Sequence, residues 1–181
     1  MAQRPIVAVF GSSQPSPESQ ECQLAYELGR AIAQSGWVLC NGGYGGTMEA
    51  AARGAVEAGG HTIGVTCRAF NRVGPNPYIR QEVPTFDLLS RLNTLIRLGH
   101  AYVVLPGGTG TLLELACVCE LLNKGLLRRK APVILLGEYW RPVANVVCVE
   151  QPDLAEFLAF VESPSEAMEL LRRHLSRDAE A

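Results

Sequence analysis

AYVVLPGGTGTLLE, residues 101–114, decides the fold. Ala101–Leu105 is a short apolar run with the length and composition of a buried strand. Pro106, Gly107, Gly108 and Gly110 then break the run, and helical spacing takes over from Gly110 to Asn123. A strand that ends in a glycine-rich turn and restarts as a helix is the βα half of a parallel crossover. Glycine lets the backbone come close to a ligand and adopt positive φ. The helix that follows offers N–H groups without intrahelical acceptors and a positive dipole end, which together seat a phosphate. Thr109 and Thr111 add hydroxyl donors. A competing reading takes the stretch as a tight turn, with Thr111 and Glu114 at capping-box spacing. The density of glycine favours the ligand, and Glu114 can serve either purpose.

The rest of the chain repeats this grammar. Further strands are expected at Ile6–Phe10, Trp37–Cys40, Thr62–Thr66, Pro132–Leu136 and Phe157–Val161. Helices are expected at Ser19–Ser35, Thr47–Ala58, Thr85–Leu98 and Pro164–Leu175, with a weaker helical pattern over Glu138–Val149. The alternation predicts a Rossmann-like three-layer α/β/α fold around a mostly parallel sheet of six or seven strands. It fills a single domain over residues 1–176, with a frayed tail at 177–181. Cys67–Pro84, which carries Arg68, Arg72, Asn76, Tyr78 and Arg80, reads as a long loop that either covers a site or is ordinary surface.

Two more strands end in glycine turns. Gly11-Ser12-Ser13 follows the first, and Gly42-Gly43-Tyr44-Gly45-Gly46 the second. All three turns lie at carboxyl ends of parallel strands. In an order 3-2-1-4-5 the first and fourth strands flank the switch point where open sheets bind ligands. The Gly42–Gly46 turn admits either a ligand or close packing of the second helix, whose Glu49 reads as dipole-favoured surface.

Composition removes several classes. The 181 residues are 48% hydrophobic and 19% charged with a formal net charge of −2. That balance gives no global field for nucleic acid or an acidic membrane. No apolar run reaches the roughly 18–20 residues of a membrane span, and the start lacks a signal-peptide core, so a cytoplasmic protein is expected. None of the six cysteines forms C-x-x-C. Cys117 and Cys119 point about 200° apart on a helix, so reduced thiols and no metal are expected. His61, His100 and His174 have no metal spacing. Gly11-Ser-Ser-Gln-Pro stands where a dinucleotide fold has G-x-G-x-x-G, and no Walker sequence occurs. No cofactor is expected.

P-G-G-T-G-T-L-L-E resembles the PGGxGTxxE signature of the LOG (LONELY GUY) family, also labelled lysine decarboxylase-like. The resemblance runs from Gly11 to Leu136, about three quarters of the chain. Family members with an assigned activity are cytokinin riboside 5′-monophosphate phosphoribohydrolases. The family's arginine stands fifteen residues before the signature proline, which is Arg91 here. The resemblance therefore implies a catalytic pair, Arg91 and Glu114. It also implies a homodimer with sites near the interface. Three features depart from the family pattern: Arg91-Leu92 replaces Arg-Lys, Leu113-Glu114 replaces paired glutamates, and the second glycine turn differs from GGGxxGLMG. In these the chain is similar to a sister branch of nucleotide-binding LOG-like proteins related to molybdenum-cofactor carriers. Decarboxylation of lysine needs a lysine to hold pyridoxal phosphate. Lys124 and Lys130 lie away from the glycine turns.

Helical geometry bears on Arg91 independently. Leu88, Leu92 and Leu95 form the expected buried stripe, with Arg91 roughly 60–70° from its centre and Arg97 opposite. A half-buried arginine needs an anion or other acceptors, or else snorkels to solvent. The expected site thus comprises Arg91 and Glu114 as catalytic residues. Gly11, Ser12, Ser13, Gly42, Gly43, Gly45, Gly46, Gly107, Gly108, Thr109, Gly110 and Thr111 are the expected phosphate or nucleotide contacts. The expected partner is a small phosphorylated ligand, a nucleoside monophosphate in first place, with neither nucleic acid nor membrane. The expected function is hydrolysis of its N-glycosidic bond. A non-enzymatic carrier or sensor of a nucleotide or pterin-type cofactor is the alternative, favoured by Leu92 and Leu113.

Overall fold

A computed structural model describes residues 4–72, 74–127 and 131–175. The expected tail, together with Lys130, lies outside the described residues. Seven strands form one parallel sheet: β1 (Ile6–Phe10), β2 (Val38–Asn41), β3 (Thr62–Cys67), β4 (Gln81–Thr85), β5 (Ala101–Val104), β6 (Val133–Leu136) and β7 (Leu158–Val161). Their order is β4-β3-β2-β1-β5-β6-β7. The chain therefore reverses its direction of travel between β1 and β5, as the order expected from sequence requires. Register brings the ends of these two strands together, with Phe10 opposite Val104.

Six helices cover the sheet: α1 (Gln20–Gln34), α2 (Thr47–Glu57), α3 (Leu88–Leu98), α4 (Thr109–Asn123), α5 (Arg141–Glu150) and α6 (Pro164–Leu175). Alternation along β1 divides the core. Val7 and Val9 pack towards α1, α2 and α6, whereas Ala8 and Phe10 pack towards α3 and α4. Every residue of β1, β2, β5 and β6 is buried, as expected of central strands covered on both faces.

On the first face α1 and α2 meet backbone to backbone. A Cβ at Gly29 would overlap the Ala51 carbonyl oxygen, and one at Gly54 the Tyr26 carbonyl oxygen. On the second, the N-cap Asp87 accepts the Ser90 N–H at 2.8 Å and fixes where α3 begins, a contribution of about 1 kcal/mol. Among the described residues no helix is long and apolar enough to cross a membrane, and no group of three or more His, Cys, Asp or Glu could hold a metal ion.

Three expectations are corrected. Cys67–Pro84 is not wholly loop: it contains a short 3-10 helix, Arg68–Phe70, and most of the edge strand β4. Thr85 consequently ends a strand instead of starting a helix, and its hydroxyl donates to the Thr66 carbonyl at 2.7 Å. Leu88 does not belong to the buried stripe. It is 41% exposed at the first position of α3, and the buried residues are Arg91, Leu92, Leu95 and Ile96.

Candidate functional site

At the carboxyl edge of the sheet lies a cleft of about 390 Å³. Gly11–Gln14 after β1 and Gly108–Thr111 after β5 line one end; Tyr44 after β2 and Phe70 and Arg72 after β3 line the other. Strand order thus lays the cleft across four adjacent strands, roughly 14 Å from β5 to β3.

The first turn of α4 forms part of the wall. Its N-cap is Gly108, and no side chain caps it. Glu114 does not reach back to Thr111's turn, so the capping box suggested by the sequence is absent. The helix starts at Thr109, three residues too early for that pairing, and Glu114 points instead to Arg91. The glycines of this turn divide by purpose. A Cβ at Gly107 would overlap the Thr111 side chain, so that glycine is needed by the fold. A Cβ at Gly108 or Gly110 meets nothing within 4 Å, and neither residue has positive φ. Packing within the protein does not require glycine at either position, yet both line the cleft. Bare backbone facing open space is what close approach of an anion needs.

Arg91 and Glu114 meet in the wall. Arg91 Nη1 lies 3.3 Å from Glu114 Oε1, and both residues are buried. Arg91 Nε donates to the Val65 carbonyl at 2.9 Å. Its guanidinium lies 5.7 Å from the ring centroids of both Tyr44 and Phe70, within cation–π range. Nη2 occupies the space where Gly42 would carry a side chain. The buried arginine therefore has the acceptors that the helical geometry demanded. Burial pushes the Glu114 carboxyl up to about 7, with Arg91 pulling in the opposite direction. Cys40 is buried close to the pair, and burial raises its thiol to about 12, so it stays neutral.

The second glycine turn supports the site from behind. Gly42, Gly43, Gly45 and Gly46 do not line the cleft; Tyr44, between them, does. Gly46, at φ 63°, brings the turn against the backbone of Ser12 and Ser13. Thr47 N–H completes that junction by donating to the Ser12 carbonyl at 2.9 Å. Tyr44 is held rigidly: its hydroxyl accepts from Cys67 N–H at 2.8 Å and donates to the Cys67 carbonyl at 3.3 Å. Gly107 opens onto a neighbouring depression shared with Tyr139, whose hydroxyl donates to the Gly107 carbonyl at 3.1 Å. Sequence reasoning missed Gln14, Tyr44, Met48, Phe70 and Leu88 as cleft residues. Tyr44 had a visible signal, a single aromatic set inside a glycine turn.

Comparison with known proteins bears on the family and the fold. A family model described as the SLOG cluster4 family matches residues 4–168. The cytokinin riboside 5′-monophosphate phosphoribohydrolase of Rhodococcoides fascians is 31% identical over 144 residues, 78% of this chain and 73% of that protein. The molybdenum cofactor carrier protein of Chlamydomonas reinhardtii superposes with a TM-score of 0.78 at 26% identity, over 96% of this chain and 99% of that one. The molybdenum cofactor binding protein of Rippkaea orientalis gives 0.77 at 28% identity, over 96% and 98%. A parallel sheet reversing at β1 and β5, a glycine turn opening α4 and these matches lead to one assignment: the chain belongs to the SLOG cluster4 family, within the LOG superfamily to which the molybdenum-cofactor carriers are related.

Proposed function

We propose that this protein hydrolyses the N-glycosidic bond of a nucleoside 5′-monophosphate, releasing free base and ribose 5-phosphate. The observation that carries the reading is the Arg91–Glu114 pair, a buried carboxyl held at 3.3 Å in the wall of a cleft whose far end is bare helix N-terminus. The first turn of α4 and Gly11–Ser13 hold the phosphate, and that anchorage places the sugar beside Glu114. Cleavage builds oxocarbenium character on the ribose. Glu114 stabilises that charge and takes a proton from the attacking water. The C1′–N bond breaks with its electron pair on the base, which solvent protonates. A carboxyl titrating near neutrality suits this work, because a general base is most effective when its pKa lies near the working pH. Arg91 orients the carboxylate and keeps part of it ionised.

A carrier of a phosphorylated cofactor is the second reading. It is favoured by Leu92 and Leu113, two apolar side chains in the cleft wall beside the pair. A homodimer is part of the proposal too. Phe86 is 75% and Leu89 70% exposed next to the cleft, apolar surface of the kind a second subunit covers.

Incubation with a panel of nucleoside 5′-monophosphates, with base release followed by chromatography, tests the proposal. Release that Glu114→Gln abolishes is the expected result. Saturable binding without release at high protein concentration overturns it in favour of the carrier.

A further inference from the structure

The end of the cleft farthest from the phosphate turns has a chemistry of its own. Its surface includes Tyr44, Phe70 and Leu88, with two arginines, Arg72 and, behind the rings, Arg91, whose donors are taken up by Val65 and Glu114. Phe70 turns one face to Arg91 and to Tyr44, whose ring centroid lies 6.0 Å away, yet remains 38% exposed. Leu88 also keeps open surface, 41% of it, at the same end. Two exposed apolar side chains in one cleft suit a flat ring better than a sugar or a second phosphate.

Arg72 supplies direction. Its guanidinium lies 4.8 Å from the Tyr44 ring centroid. It makes no ion pair and no side-chain hydrogen bond among the described residues, so its five N–H donors are free for a ligand. Among the described residues the end holds no uncommitted side-chain acceptor to balance them. The Tyr44 hydroxyl is committed to Cys67, and Glu114, the one carboxylate lining the cleft among the described residues, is bound to Arg91. A planar fork of donors with no acceptor beside it matches two adjacent acceptors on the ring edge. The O6 and N7 of a 6-oxopurine are such a pair. Adenine offers N7 next to an amino donor, so half of the fork would face another donor. Pyrimidines lack the ring that carries N7.

We propose that Phe70 and Arg72 form a base subsite selective for 6-oxopurines, making GMP and IMP preferred over AMP and the pyrimidine monophosphates. The proposal rests on the nucleoside monophosphate reading above, and it concerns affinity separately from turnover. The test is calorimetric titration of GMP, IMP, AMP and CMP into the whole protein, alongside base release from each. GMP and IMP are expected to bind about tenfold or more tightly than AMP, the range of one bidentate arginine contact. Arg72→Met is expected to erase that ratio. Arg72→Lys, which keeps the charge and loses the fork, is expected to restore only a small part of it. Phe70→Ala is expected to weaken all purines together. Unchanged binding of ribose 5-phosphate shows that the variants remain folded. AMP bound and cleaved as well as GMP overturns the subsite and leaves the hydrolase intact, whereas equal binding of both without base release overturns the subsite and the hydrolase together. Selective GMP binding without base release supports the subsite and overturns the hydrolase. Absence of binding by every nucleotide overturns both.

Discussion

The Arg91 guanidinium occupies the volume where Gly42 would hold a side chain, so the two residues, one on α3 and one just past β2, are fitted to each other. Arginine is buried at that point because a glycine makes room, the Val65 carbonyl accepts Nε and Glu114 accepts Nη1. Gly42→Ala is expected to push the guanidinium off Glu114, with an overpacking cost of about 1–3 kcal/mol. Base release should fall much more than thermal stability does. Rates equal to wild type in a folded variant would show that the position of Arg91 is immaterial.

Titration of Glu114 sets the pH behaviour. Its carboxyl stands at about 7 in the folded protein, above its unfolded value of 4.5. Between these pH values the native state binds more protons than the unfolded state. Its contribution to stability is therefore largest below pH 4.5 and declines as pH rises to 7, by on the order of 1–3 kcal/mol. Denaturant titrations across this window should show that slope in wild type and a flatter profile in Glu114→Gln. Under the proposed general-base role, kcat/KM is expected to show a rising acid limb centred near 7. A limb falling in that range would reassign Glu114 as the acid.

Arg91 lowers the Glu114 pKa from what burial alone would give. Arg91→Met should accordingly move the acid limb to higher pH, as well as reducing the maximal rate. Lysine is no substitute, because it lacks the planar group that packs against Tyr44 and Phe70 while bonding Val65 and Glu114. An acid limb that stays in place in Arg91→Met would mean the two residues titrate independently.

Gly108 and Gly110 allow the proposed ligand role to be tested apart from folding. Neither has a neighbour that a methyl group would strike. Gly110→Ala is expected to leave stability unchanged or raise it by up to about 1 kcal/mol, since it lies within α4. Phosphate and nucleotide affinity should drop more than about tenfold, roughly 1.4 kcal/mol. Melting curves and titrations on the same sample compare the two effects. Loss of stability without loss of affinity would assign the glycine to the turn alone.

The parallel sheet and its reversal were legible because glycine turns and short apolar runs recur in a fixed order, and the buried strands follow them closely. Edge strand β4 was not. Gln81-Glu-Val-Pro-Thr85 is mostly exposed and contains Pro84, so it lacks the hydrophobic signal that central strands carry. Spacing identified Arg91 but misjudged Leu88, because periodicity does not reveal that the first turn of α3 opens on the cleft. The T-x-x-E spacing was present, yet the partner of Glu114 lies 23 residues back in sequence, on another helix. Phe70 had no local signal at all; its place depends on how the segment after β3 folds back over Tyr44.

The contact between α1 and α2, glycine against carbonyl at Gly29 and Gly54, has a consequence for local unfolding. Side chains do not separate these two backbones, so the helices cannot loosen by rotamer changes. Amide protons in their central turns should exchange with deuterium only through global opening. Those of α5, where Val146 and Val149 are about three quarters exposed, should exchange far sooner. Deuterium uptake would then map a slow shell behind the loops after β1 and β2 and a fast one on the opposite face.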